Sequence, residues 1–125
     1  MSHRLARSLL VLQVLLLLVG TQMPGAWRAG LEANLHASWG LSSWSHFVLF
    51  AGMATVLRVP PLAWPWMRVV LTAVGLALLT EALQFFAIDR HPRWTDVGID
   101  MAGALAGMLL AVTWTRLGKA PAPAK

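Results

Sequence analysis

The sequence predicts an all-α fold, a polytopic membrane protein built as a bundle of four transmembrane helices. Hydrophobic residues make up 58% of the 125 residues and charged residues only 12%, and the mean hydropathy is +0.64. Soluble domains carry about 25% charged residues. Four segments approach the roughly 20 apolar residues that a helix needs to cross a bilayer core. They cover about residues 5–22, 43–59, 66–88 and 96–117.

Proline placement supports these four segments. All seven prolines lie outside them or at their edges, as expected because proline disrupts the interior of a helix. A chain this short without repeats predicts one domain, residues 1–125. Residues 118–125 are predicted to form a flexible tail.

The first segment has a second interpretation, a cleaved secretory signal peptide. "MSHRLAR" is a positively charged start, and residues 9–19 form a short apolar run. The following "TQMPGAW" is a poor match to the small-residue pattern at which signal peptides are cut. We therefore expect this segment to be retained as a span.

Basic residues near the span ends predict the orientation, because they favour the cytoplasmic side. With four spans, seven of them fall on the side of both termini: Arg4, Arg7, Arg58, Arg68, Arg116, Lys119 and Lys125. Three fall on the other side: Arg28, Arg90 and Arg93. The sequence thus predicts a bacterial inner-membrane protein with both termini in the cytoplasm. Because these charges form no basic stripe, no nucleic-acid partner is expected.

The loop between the first two segments carries apolar residues at every fourth position. These are Trp27, Leu31, Leu35 and Trp39. The spacing predicts a short amphipathic helix lying on the outer membrane surface. An ordinary loop with some apolar residues is the alternative, since the segment has only about three turns.

Residues that carry common catalytic chemistry are scarce. The chain has no cysteine, which excludes disulfides, thiolate metal sites and a cysteine nucleophile. Neither H-E-x-x-H nor G-x-S-x-G occurs. No cofactor and no metal are predicted.

Acidic residues are confined to the outer half of the predicted bundle. Glu81 lies about 10 Å below the outer end of the third segment, at 1.5 Å per residue. A charge at that depth is costly unless it faces the bundle interior with a partner. Gln84 follows three residues later and shares its face, and His46 opens the second segment at a comparable level.

The fourth segment carries a stripe that begins acidic and ends in glycine. Asp96, Asp100, Gly103 and Gly107 recur at helical spacing, and the G-x-x-x-G part permits close approach of another helix. The stripe is therefore predicted to face protein. Thr95 is a candidate N-cap for this helix, with Asp96 at its positive end.

These residues resemble the VanZ-like family of membrane proteins. The resemblance rests on "HFVLFAG" at 46–52, "EALQFFAIDR" at 81–90 and "DVGIDMAGALAG" at 96–107. The spacings from Gln84 to Arg90 and from Arg90 to Asp96 match that family. Two features depart from it: Ser42 and Ser43 replace an Asp-Lys pair, and Asp100 replaces an asparagine.

The resemblance implies a small four-helix membrane protein whose namesake raises tolerance to the glycopeptide teicoplanin, and it implies no established reaction. The first hypothesis is a non-enzymatic envelope protein that binds an anionic lipid, a lipid-linked cell-wall precursor or a lipoglycopeptide antibiotic. Membrane lipids are then its expected partners, and the oligomeric state is left open. The candidate ligand-binding residues are His46, Glu81, Gln84, Arg90, Arg93, Asp96 and Asp100.

Two other hypotheses remain open. In the second, the protein is an enzyme acting on a lipid-linked substrate by acid–base or metal chemistry. Its candidate catalytic residues are His46, Glu81, Asp96 and Asp100. In the third, the protein is a membrane assembly or scaffold protein: the glycine stripe and the surface helix dock a partner, and the polar cluster is purely structural. For the individual residues, the alternatives are that Gly103 and Gly107 serve helix packing and that Glu81 forms a structural ion pair with Arg90.

Overall fold

The protein is a bundle of α-helices in a computed structural model that describes residues 1–35, 40–88 and 91–117. Within those ranges every regular element is a helix. The helices are α1 (His3–Gln22), α2 (Gly25–Asn34), α3 (Leu41–Arg58), α4 (Trp66–Gln84) and α5 (Trp94–Leu117). The prediction of an all-α fold is confirmed.

Three of the described helices, α1, α4 and α5, are long and apolar enough to cross a membrane. Their outward surfaces are apolar too; on α1, Leu12, Leu15 and Val19 are each more than half exposed. Such a surface is unfavourable in water and suits lipid. The shorter α3 is not among the three, because its first turns hold Ser42, Ser43 and His46. The four-span count is therefore not confirmed.

The helix α3 packs most extensively against α5. A side chain at Gly103 would collide with the main chain of Phe47, and one at Gly107 with the main chain of Ala51. Glycine at both positions lets the two backbones touch. The contact moves four residues forward along α5, from Gly103 to Gly107, as it moves four residues forward along α3, from Phe47 to Ala51. The helices α3 and α5 therefore run in the same direction.

The remaining contacts complete a ring. The helix α1 packs on α3 and on α4, α4 also packs on α5, and α3 and α4 meet across the centre. A side chain at Gly52 on α3 would collide with Gln13 on α1. Buried side chains from α1, α3, α4 and α5 form the core: Leu17, Phe50, Met53, Ala54, Leu57, Val69, Ala73, Ala77 and Ala104. The alanines of α4 and α5 bring these helices close to their neighbours.

One end of the bundle, here called the α2 end, contains α2, the start of α3, the end of α4 and the start of α5. Gln22 Nε2 donates to the carbonyl of Leu83 at 3.2 Å, which joins α1 to α4 at this end. The amide of Ser42 donates to Glu32 Oε1 at 3.5 Å, which joins α2 to α3. The opposite end carries Arg4, Arg7, Arg58, Arg68 and Arg116.

Two of the differences between the predicted and observed helix bounds affect the polar residues. The helix α4 ends at Gln84 rather than at residue 88, because the next amides bond to carbonyls three residues back, as in a turn. The helix α5 begins at Trp94, so Thr95 lies inside it, and the prediction of Thr95 as N-cap is wrong. Asp96 does lie in the first turn.

The helix α2 occupies the loop in which the sequence predicts a surface helix. None of its residues is buried, and Trp27, Leu31 and the adjoining Leu35 are exposed. Its position on a membrane surface stays a prediction. Trp39 and the predicted tail at 118–125 lie outside the described residues.

Candidate polar site at the α2 end

A buried hydrogen bond links α3 to α5 near the α2 end. His46 Nδ1 lies 2.9 Å from Asp100 Oδ1, and the side chains are 6% and 0% exposed. Because an ionised carboxylate only accepts, Nδ1 is the donor when Asp100 is ionised. The other oxygen, Asp100 Oδ2, is buried and has no hydrogen-bond partner among the described residues.

Glu81 on α4 is engaged through both of its carboxylate oxygens. Gln84 Nε2 donates to Oε1 at 3.0 Å, one turn along the same helix. The main-chain amide of Arg93 donates to Oε2 at 2.6 Å. The second bond connects α4 to the residue immediately before α5, so Glu81 fixes where α5 begins.

These two groups belong to one polar region. Glu81 lies within electrostatic range of His46, Asp96 and Asp100. On α4, the apolar buried face continues directly into Thr80, Glu81 and Gln84. The polar residues thus extend the core instead of facing lipid, which limits the cost of charge at this depth.

The predicted site residues have different environments. His46, Glu81, Gln84 and Asp100 are buried. Asp96 is partly exposed, whereas Arg93 is exposed and reaches Glu81 only through its main chain. Arg90 lies outside the described residues, and so does the predicted ion pair of Arg90 with Glu81.

Two recesses open on opposite sides of this polar region. The α4–α5 cleft has a volume of about 380 Å³ and is lined by Leu78, Glu81, Ala82, Phe85, Pro92, Arg93 and Trp94. The α1–α3 cavity has a volume of about 420 Å³ and lies between α1, α2 and α3. His46 and Arg28 are among its lining residues.

Comparison with known proteins identifies the family. A family model described as VanZ/LLP1 matches residues 8–115. The chain belongs to the VanZ/LLP1 family. The matched range contains the whole polar region, including His46, Glu81 and Asp100. Searches of curated proteins and of solved structures each gave no significant match.

The metal version of the enzyme hypothesis finds no support in the geometry of this VanZ/LLP1 protein. In the part of the chain that the structure describes, no three His, Asp or Glu side chains are grouped closely enough to hold a metal ion. His46 and Asp100 pair with each other, while Glu81 bonds to Gln84 and Arg93.

Three further polar residues of this VanZ/LLP1 protein were not found by sequence reasoning. Thr55 donates from α3 to the carbonyl of Gly107 on α5 at 3.0 Å. Gln13 Oε1 and Arg28 Nε are both buried, and neither has a hydrogen-bond partner among the described residues. Gln13 could have been noticed as the one polar residue within "LLVLQVLLLLVG". Arg28 gave no signal, because it lies off the apolar face of the predicted surface helix, where a charged side chain is expected.

Proposed function

We propose that this protein is a four-span, VanZ-like integral membrane protein of the bacterial cell envelope that binds an anionic amphiphile at its α2 end without catalysing a reaction. An anionic membrane lipid, a lipid-linked cell-wall precursor and a lipoglycopeptide antibiotic share the required chemistry, an acidic group beside a long hydrocarbon chain. Binding of the last two would connect the protein to glycopeptide resistance of the teicoplanin type.

The α4–α5 cleft is the observation that carries this proposal. Its walls include Leu78, Phe85 and Trp94, and Arg93 stands at the same recess. Apolar walls with one cationic group suit a ligand that has an acyl chain and an acidic head. Arginine can contact phosphate or carboxylate through two parallel hydrogen bonds.

The charges around Arg93 favour binding of its side chain to an anionic ligand over pairing with an acidic residue of the protein. Glu81 is the acid that lines the cleft, and hydrogen bonds from Gln84 and from the Arg93 amide occupy its oxygens. Among the described residues, the only contact within ion-pair distance is that of His46 with Asp100. The exposed Arg93 guanidinium is therefore available to a ligand.

The packing of α3 supports its role as a fourth span. This helix lies alongside α5 from His46 to Thr55 and alongside α1 at Gly52. Both α1 and α5 are long and apolar enough to cross a membrane. Because α3 packs along two such helices, it would lie at the same depth in the bilayer as they do. The Ser and His side chains of its first turns lie at the α2 end.

The charge distribution supports the orientation. Arginines are concentrated at the end opposite α2, which favours a cytoplasmic location for that end and for both termini. The α2 end then faces outward. The exposed Trp27 and Leu31 of α2 would lie in the interface between lipid and water.

The test uses phosphatidylglycerol with a photoactivatable group in its acyl chain, added to the purified protein in phosphatidylcholine nanodiscs. We expect crosslinks to peptides of α4 and the start of α5. Arg93→Ala should reduce them about tenfold, as for loss of a charge-assisted hydrogen bond, and Arg93→Lys should restore part of the signal.

Arg116→Ala is the matched control, since Arg116 is exposed at the opposite end and should leave these crosslinks unchanged. Equal labelling in wild type, Arg93→Ala and Arg93→Lys would rule out the cleft as the site. The sequence-based expectation for Arg90 has the same form: Arg90→Ala should abolish binding, and Arg90→Lys should restore it in part.

The acid–base enzyme remains the second candidate, because Asp100 orients the His46 ring as a carboxylate orients a general base. A steady release of product from a lipid-linked substrate, lost in His46→Ala, would establish this activity in place of simple binding. For the metal version, the expected result is an unchanged melting temperature in EDTA.

A further inference from the structure

We infer that the α1–α3 cavity is a second, separate site that holds one anionic phospholipid of the surrounding membrane, with its phosphate at Arg28 and an acyl chain along α1 and α3. This site lies across the bundle from the α4–α5 cleft. Among the described residues, the two recesses share no lining residue, so the two sites can be tested apart.

The walls of the cavity suit an acyl chain. Leu16 and Leu17 of α1 face it from one side, and Val48 and Leu49 of α3 from the other. Gly20 also lines it, and a side chain added there would meet no atom within 4 Å. The missing side chain at residue 20 therefore leaves open space between two helices whose outer surfaces are themselves apolar.

The polar lining is cationic or neutral. Besides the apolar residues, the cavity is lined by Arg28, His46, Ser42 and Ser45, with no Asp or Glu among the described lining residues. Arg28 Nε is buried and has no hydrogen-bond partner among the described residues. An unpaired buried donor on a charged group is unfavourable, and a phosphate oxygen would satisfy it.

Contacts of α2 hold Arg28 over this cavity. The amide of Ser42 on α3 donates to Glu32 on α2 at 3.5 Å, and the amide of Gly25 donates to the carbonyl of Ile88 at 3.4 Å. Arg28 lies between these two attachments. Although Glu32 is one turn away, it makes no ion pair with Arg28, and no other described residue does.

His46 gives the cavity a second polar contact. Its Nδ1 is bound to Asp100, and its ring lines the cavity. The polar pair between α3 and α5 thus borders the place where the lipid head would sit. A phospholipid fits this arrangement better than a soluble anion, since most lining residues are apolar.

The experiment uses the same photoactivatable phosphatidylglycerol with the full chain in phosphatidylcholine nanodiscs, and crosslinks are located by peptide mass spectrometry. We expect labelling of α1 and α3 peptides. Arg28→Ala should lower it by about tenfold. Gly20→Phe should lower it as well, because the new ring fills the space for the acyl chain.

Gly75→Phe is the matched control. Gly75 on α4 also has no atom within 4 Å of an added side chain, but it does not line the cavity. Unchanged α1 and α3 labelling in this variant, with loss in Arg28→Ala and Gly20→Phe, supports the inference. Because Gly20→Phe keeps Arg28, it tests the cavity even if Arg28→Ala fails to fold.

The outcomes separate this site from the α4–α5 cleft. Labelling of α1 and α3 that is equal in all variants overturns the inference, and so does equal labelling by a photoactivatable phosphatidylcholine. If the wild-type protein is labelled on α1 and α3 but not on α4 and α5, only the cleft is rejected. If it is labelled on α4 and α5 but not on α1 and α3, only the cavity is rejected.

Discussion

His46 on α3 and Asp100 on α5 form a 2.9 Å hydrogen bond between two side chains that are almost completely removed from solvent. The bond lies on the α2 side of the contact between Gly103 and Phe47. It therefore fixes the two parallel helices at the α2 end, while the glycines allow their close approach further along.

Removing the acceptor of this bond should destabilise the protein. Asp100→Ala leaves His46 buried without its partner, and breaking a buried pair costs about 3–5 kcal/mol. Asp100→Asn keeps an oxygen that can accept from Nδ1, and asparagine is the residue that the VanZ-like resemblance implies at this position. We expect a much smaller loss for Asp100→Asn, measured by chemical unfolding in detergent. Equal losses for the two variants would mean that the hydrogen bond is not what stabilises this contact.

Replacing Gly107 should separate α3 from α5. A side chain at this position collides with the main chain of Ala51, which cannot move without shifting the helix. Gly107→Ala should lower the free energy of unfolding by about 1–3 kcal/mol. Gly98→Ala is the control on the same helix, since nothing lies within 4 Å of its added carbon; it should stabilise by up to about 1 kcal/mol. If both variants behave alike, close helix packing at Gly107 is not required.

Changing Glu81 should loosen the start of α5. Glu81→Gln removes the negative charge and turns one of the two accepting oxygens into a donor. Even when the Gln84 amide turns to accept from this donor, the bond from the Arg93 amide loses its charge assistance. The expected loss is about 1–3 kcal/mol, together with weaker lipid labelling of the α4–α5 cleft because Arg93 is no longer held in place. Thr113→Ala is the control, as the Thr113 hydroxyl is exposed and bonds only within its own helix. Complete unfolding of Glu81→Gln would instead favour the scaffold hypothesis.

The number of spans can be tested with cysteines, because the chain has none of its own. Ala33 on α2 and Ala63 between α3 and α4 are both exposed. If α3 crosses the membrane, a membrane-impermeant maleimide should label Ala33→Cys in intact spheroplasts and Ala63→Cys only after lysis. Ser2→Cys should behave like Ala63→Cys, as the marker of the cytoplasmic side. Labelling of both Ala33→Cys and Ala63→Cys before lysis would place them on one side and exclude a spanning α3.

Much of the fold could be predicted from apolar length and proline placement. The four predicted segments overlap α1, α3, α4 and α5, because long apolar runs with prolines only at their edges favour helices. Helix ends were less predictable. The end of α4 at Gln84 depends on turn hydrogen bonds, and the start of α5 depends on the bond between Glu81 and the Arg93 amide, which joins residues that are twelve positions apart.

The sequence by itself determined the helical class, the grouping of acidic residues toward one end and the stripe from Asp96 to Gly107. Each of these follows from the spacing of residues along the chain, because residues three or four positions apart lie on the same side of a helix. Only the tertiary structure decided which polar groups pair: Asp100 bonds to His46, and Glu81 bonds to Gln84 and to the main chain of Arg93. It also placed Arg28 in a cavity with an unpaired donor. These pairings depend on how helices that are far apart in the sequence pack against each other. The spacing of residues within one helix does not determine that packing.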